Sequence, residues 1–172
     1  AMADLLRQLV KENNLPRSAQ AAVILPAPLV FTRITELPPM TEGQLTYNLP
    51  FEFKDYLTQE KSRYYFDYAV QELVRGEDDS VTRMKLFACA TLKTTIEDYR
   101  SMMNRAGFKL KLALPEEAAY AALLTDYIRR TQPESRDYCL VDVGHAGIRM
   151  FILRDDRFIN RRTIDLGMLD LI

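Results

Sequence analysis

The stretch from Tyr138 to Asp165 restricts the fold more than any other. Three apolar runs, Tyr138 to Val143, Ile148 to Arg154 and Arg157 to Asp165, are separated only by Gly-His-Ala-Gly and Asp-Asp. Connections this short join neighbouring antiparallel strands. The sequence therefore predicts a three-stranded meander, with a helix beginning at "LGMLDLI". The first hairpin also carries a chemical question. A hairpin that holds phosphate needs glycine, so that backbone N–H groups come close to the oxygens. It also needs a carboxylate at the strand end, to hold a hydrated Mg²⁺ or orient water. Asp142, Gly144 and Gly147 have those types in that order. Hairpin geometry alone explains the glycines equally well, and Asp142 reads equally as a strand-end turn residue. Both readings stay open at this level, and His145 reads as an exposed turn residue.

The chain before the meander alternates helices and strands. "MADLLRQLVKENNLP" places Leu5, Leu6, Leu9 and Val10 at helical spacing and ends at Asn13-Asn14. Val23 to Leu25 is short and fully apolar, like a central strand, and Leu29 to Leu37 is a second extended piece. Thr41 is a helix-cap candidate. Leu45, Leu49, Phe53 and Leu57 then share one helical face, with Pro50 expected to kink or divide the helix. "SRYYFDYAVQELV" and "VTRMKLFACATL" form a hairpin across "RGEDDS". "KTTIEDYRSMMNRAG" is a helix with Ile96, Tyr99, Met102 and Met103 on one face, stopped by Gly107. "FKLKLALP" is a strand, "EEAAYAALLTDYIRR" a helix and "TQPESRD" a linker. The class is α/β.

Charge and composition exclude several functions. The 172 residues carry a formal net charge of -1, so there is no general attraction to nucleic acid or anionic lipid. One histidine and two cysteines supply no metal-ligand cluster. Cys89 and Cys139 read as small buried hydrophobes. No apolar run approaches the ~18 residues of a membrane span. Arg149, Arg154, Arg157, Arg161 and Arg162 form a basic stretch. It reads as a solvated or later-covered sheet face, or as a surface for phosphate or an acidic partner. On a strand, Tyr64, Phe66 and Tyr68 share one face and Tyr65 takes the other. That trio either packs on the neighbouring helix or lines a partner groove. An exposed strand edge there would also accept an added peptide strand.

Several of these phrases, in this order, resemble the PilM family of type IV pilus assembly proteins, actin-like and related to FtsA. "AAVILPAPLVFTRITELP" is similar to a strand of the first actin-like subdomain. "MTEGQLTYNLPFEFKDYL" is similar to the acidic helix after it, with Glu52 and Tyr56 in an E-x-x-x-Y pattern. "RMKLFACATLKTTIEDYRSMMNRAGFKLKLALPEEAAYAAL" is the strongest match, and "YCLVDVGHAGIRMFILRDDRFINRRTIDLG" resembles the hairpins that open the second half.

The resemblance implies a partial actin-like ATPase fold with an inserted strand–helix–strand–strand–helix module. Residues 1–37 and 108–132 would belong to the first subdomain, 38–107 to the inserted interaction module and 133–172 to the second half. It implies a cytoplasmic scaffold of a pilus, secretion or competence platform, peripheral to the inner membrane through a partner. That partner would be the cytoplasmic N-terminal tail of a PilN-like membrane protein, contacted by Tyr64, Phe66 and Tyr68. ATP and Mg²⁺ would bind only in a longer parent, with Asp142, Gly144 and Gly147 at the phosphates. The sequence departs from the family where Ser or Thr is usual after D-x-G. His145, Ala146, Gly147, Ile148 and Arg149 stand there, and no hydroxyl remains. This weighs against efficient hydrolysis, with Arg149 available as substitute charge or turned outward by strand alternation. The resemblance implies that the first phosphate loop and the adenosine segment would lie outside this stretch of sequence, and the apolar ending "DLGMLDLI" fits the expectation of an excised piece. Such a piece is expected not to be an enzyme by itself and to be prone to self-association through strand edges. The parent would be a weak ATPase or a nucleotide-binding non-enzyme. The alternative is a nucleotide-dependent phosphotransferase of the sugar-kinase and actin superfamily.

Overall fold

The computed structural model describes residues 2–16, 18–145, 147–155 and 157–168. The chain divides into two compact units, Ala1–Pro115 and Glu116–Ile172. Each is a mixture of helix and sheet.

The first unit contains α1 (Met2–Glu12), β1 (Ala19–Leu25), β2 (Phe31–Leu37), α2 (Glu42–Glu52), β3 (Tyr64–Arg75), β4 (Val81–Leu92), α3 (Lys93–Ala106) and β5 (Phe108–Pro115). β1 and β5 pair in parallel. Parallel neighbours need a long crossover, and residues 26–107 provide it. Val23 and Leu25 are buried with Val30 and Met103, and Leu6, Ile96, Tyr99 and Met102 pack around them. The face read on α3 is therefore the face that packs. Gly107, at φ +95°, ends α3 in the left-handed conformation, which side chains other than glycine adopt only with strain. The Val23–Leu25 run is not a strand buried on both faces. Ile24 between them is 56 % exposed, and among the described residues β1 pairs with β5 alone.

A second sheet in this unit has the order β2-β4-β3, all antiparallel. Thr41 caps α2 through a capping box with Gln44. Of the apolar face read from the sequence, Leu45, Leu49 and Phe53 are buried and Leu57 is half-buried, Phe53 and Leu57 lying just beyond the end of the helix. Leu49 and Phe53 lie on Ala88 and Ala90 of β4, where small side chains let the helix come close. Pro50 does not divide α2 into two helices; the helix ends two residues beyond it. Lacking an N–H, Pro50 leaves one backbone acceptor of the preceding turn without its helical donor, and α2 goes no further than Glu52.

The second unit contains α4 (Glu116–Thr131), β6 (Asp137–Val143), β7 (Ile148–Arg154) and β8 (Arg157–Ile164). The strands form the expected meander in the order β6-β7-β8. Phe151, Leu153 and Phe158 are buried, with Tyr120 of α4 stacked on Phe151 at 4.4 Å between ring centroids. Neighbouring positions point the other way. Val141, Val143, Ile152, Ile159 and Ile164 are each at least two-fifths exposed. Cys139 shares the parity of Val141 and is exposed as well, which corrects its reading as a buried residue. Cys89 is half-buried against the first core. The helix expected from Leu166 lies mostly outside the described residues.

Candidate functional site

Each strand of the meander brings one charged side chain to the α4 side of the sheet. Asp142 on β6 is directly opposite Arg149 on β7, and Arg161 on β8 is opposite Phe151. α4 begins there with Glu116 and Glu117 in its first turn. Carboxylates suit that position, because the helix N-terminus carries partial positive charge. Tyr120, one helical turn beyond Glu116, completes the group.

The contacts are specific. Asp142 Oδ2 accepts a hydrogen bond from the Tyr120 hydroxyl at 2.8 Å and lies 2.6 Å from Arg149 Nη2. The other terminal nitrogen of Arg149, Nη1, donates to Glu116 Oε1. Arg161 Nη1 is 2.8 Å from Glu117 Oε1 and 4.0 Å from Glu116 Oε2. The Glu116 side chain is 6 % exposed and that of Glu117 1 %, while both arginines stay partly open to solvent. Carboxylates this deeply buried require opposite charge beside them. Tyr120 is pushed up to about 12, first by burial, then by its hydrogen bond to Asp142 and by that carboxylate's charge.

The turn is equally committed. Gly144 N–H donates to the Gly147 carbonyl at 2.9 Å, and its own carbonyl accepts from Met168 N–H at 3.1 Å. A Cβ on Gly144 would lie 2.9 Å from the Gly147 carbonyl oxygen. A Cβ on Gly167 would lie 2.3 Å from the His145 carbonyl oxygen. These glycines let the segment leaving β8 cross the turn at contact distance. His145 is exposed, as expected for a turn residue.

The structure thus gathers Asp142, Gly144 and Gly147 at one end of the sheet. The sequence reading missed Glu116, Glu117 and Tyr120, whose signal was a pair of acids opening an Ala-rich helix. Arg149 is not turned outward. The basic stretch resolves into separate pairs: Arg149 and Arg161 meet α4, and Arg154 meets Asp137 at 2.9 Å. For an ATP phosphate escorted by Mg²⁺ the fit is poor. The Gly144 N–H is already bonded, and the Asp142 oxygen nearest the helix is shared by a phenol and a guanidinium. Among the described residues, no group of three or more His, Cys, Asp or Glu is arranged to hold a metal ion.

In the first unit, Tyr64 is buried, and its hydroxyl lies 3.3 Å from Thr58 Oγ1. Phe66 and Tyr68 pack against Leu49 and Phe53. Tyr65 takes the opposite face, 43 % exposed, with the Lys93 ammonium over its ring at 5.5 Å. On that face lies a cavity of about 240 Å³, walled by Leu25, Val30, Ile96 and Cys89, with Tyr65 and Asp67 from β3. β3 is an edge strand, its outer side unpaired among the described residues.

The fold is mixed α/β, with a parallel strand pair and two antiparallel sheets. Among solved structures, the chain is similar to one of the PilM-PilN type IV pilus biogenesis complex. The TM-score is 0.75 at 17 % identity, over 96 % of this chain and 48 % of that one. It is also similar to the cytoplasmic domain of EpsL, an inner membrane component of the type II secretion system of Vibrio cholerae. There the TM-score is 0.59 at 15 % identity, over 95 % of this chain and 56 % of that one. A Bacteroides thetaiotaomicron protein with actin-like ATPase fold gives 0.43 at 8 % identity, too distant to bear on the assignment. The chain thus spans about half the length of its structural neighbours. No family model and no curated protein matches the sequence. No described helix is long and apolar enough to cross a membrane.

Proposed function

We propose that this chain is part of a PilM-like scaffold of a pilus or secretion assembly platform, and that it docks an extended protein tail along β3. The observation that carries the reading is the open edge of β3 beside the apolar cavity at Tyr65 and Asp67. An extended segment pairing with that edge would satisfy its own backbone and place alternate side chains in the cavity. Phe66 sits at the boundary, packed on α2 and also lining the cavity. Tyr64 and Tyr68 support the strand from the helix side. The partner is the cytoplasmic N-terminal tail of an inner-membrane protein of PilN type, which would hold the chain at the inner membrane from the cytoplasmic side. This draws on the likeness to a PilM-PilN complex and to an inner-membrane secretion component. In this reading residues 38–107 are the interaction module, and ATP binding belongs to a longer parent.

Calorimetric titration with a synthetic PilN-type tail tests the reading. Saturable binding is expected, weakened at least about tenfold by Tyr65→Ala, an exposed aromatic whose loss leaves the core intact. Binding that Tyr65→Ala leaves unchanged, or no binding to the folded chain, refutes docking at β3.

A further inference from the structure

Metal-assisted phosphate sites leave a strand-end carboxylate open on one side, because Mg²⁺ keeps most of its water and sits between carboxylate and phosphate. In this hairpin another cation already holds that place. Arg149 reaches Asp142 Oδ2 at 2.6 Å with one terminal nitrogen and Glu116 Oε1 with the other. One guanidinium therefore bridges the two carboxylates that a divalent ion at this corner would bridge. A planar fork with fixed charge suits that task. A divalent ion at Asp142 Oδ2 would face the Arg149 charge at close range. To enter, it would have to displace Arg149 and strip its partner from the deeply buried Glu116.

We infer that Arg149 is the resident cation of the hairpin, so that Asp142 is not a Mg²⁺ ligand and any phosphate held at the turn is held without metal at this carboxylate. The charge balance supports this. Asp142, Glu116 and Glu117 bring three negative charges, and Arg149 and Arg161 bring two positive ones. Removing Arg149 leaves a surplus of two negative charges on hard oxygen ligands, the composition that divalent cations select. The role is independent of tail docking, which uses the other unit of the chain.

The test is a titration of the isotope-labelled full chain with Mn²⁺, a paramagnetic stand-in for Mg²⁺, read as broadening of backbone amide signals. The wild type is expected to show no site-specific broadening at Asp142, Val143 or Glu116 up to about 1 mM, the range of weak divalent sites. Arg149→Met should gain saturable broadening confined to the start of α4 and the β6–β7 hairpin, at least about tenfold tighter than wild type, and Mg²⁺ should compete it away. Arg149→Lys, which keeps a cation, should behave more like wild type than Arg149→Met does. Saturable sub-millimolar broadening at Asp142 in the wild type overturns the inference. So does a folded Arg149→Met that gains nothing. If Arg149→Met does not fold, the wild-type titration decides alone, its silence supporting the inference and its broadening overturning it.

Discussion

Tyr120 reports on the charged corner from inside it. It faces Asp142, Arg149 and Glu116, and its phenol is raised from 10.0 to about 12. The fold therefore prefers the neutral phenol. The stability that this preference contributes is complete below pH ~10, where an unfolded tyrosine titrates, and is lost as the pH rises through about 12. Thermal melts across that window should show a loss of stability in the wild type that Tyr120→Phe does not share. Of the nine tyrosines, Tyr138 is also raised, chiefly by burial, so in absorbance titration it is the step near 12 that should vanish in Tyr120→Phe. A step near 12 that survives the substitution belongs to another residue. The types Asp142, Gly144 and Gly147 were legible from the sequence because a strand-end D-x-G has a local signature. Their partners were not. Arg149 and Glu116 are separated by 33 residues. Only the packing of α4 on the sheet decides which of five nearby arginines meets which acid.

Among the elements, the meander shows how far periodicity reaches. Its three strands fall within a residue of the runs read from the sequence, because two short turns leave no other pairing. Alternation does not, however, say which face a helix covers. Phe151 and Ile152 are adjacent and both large, yet Phe151 is 0 % and Ile152 44 % exposed. Phe151→Ala should lower the unfolding free energy by about 3–5 kcal/mol, whereas Ile152→Thr should stay within about 0.5 kcal/mol. Denaturant melts of the two variants check this, and comparable losses would mean that both faces are covered in solution. Cys139 was misread for the same reason. The polar residue within that run, Asp142, lies on the side that α4 covers, so alternation in the strand gave no sign that Cys139 and Val141 stay bare. The start of α2 was read more fully because the Thr41 cap and the spacing of Leu45 and Leu49 agree with one another.

For the molecule as a whole, charge and exposed apolar surface act together. The formal net charge is -1, and the sequence isoelectric point is about 5.9. Several apolar side chains of the meander stand open on one face. With little net charge to oppose association, contacts through such a face gain weight. Light scattering as a function of pH should show a solubility minimum near 5.9, relieved as the pH rises toward 8. A flat profile would mean that net charge does not control association here. At this scale the sequence conveyed the class and the order of elements. It did not convey where the chain divides, because the division at Pro115 falls between β5 and α4 with no linker to mark it.

Gly167 has a mechanical side. The backbone leaving β8 rests on the 144–147 turn with no room for even one added carbon, and Met168 is tied to Gly144. Any side chain at position 167 would therefore push the outgoing backbone away from His145 and Gly147 and strain the Met168–Gly144 hydrogen bond.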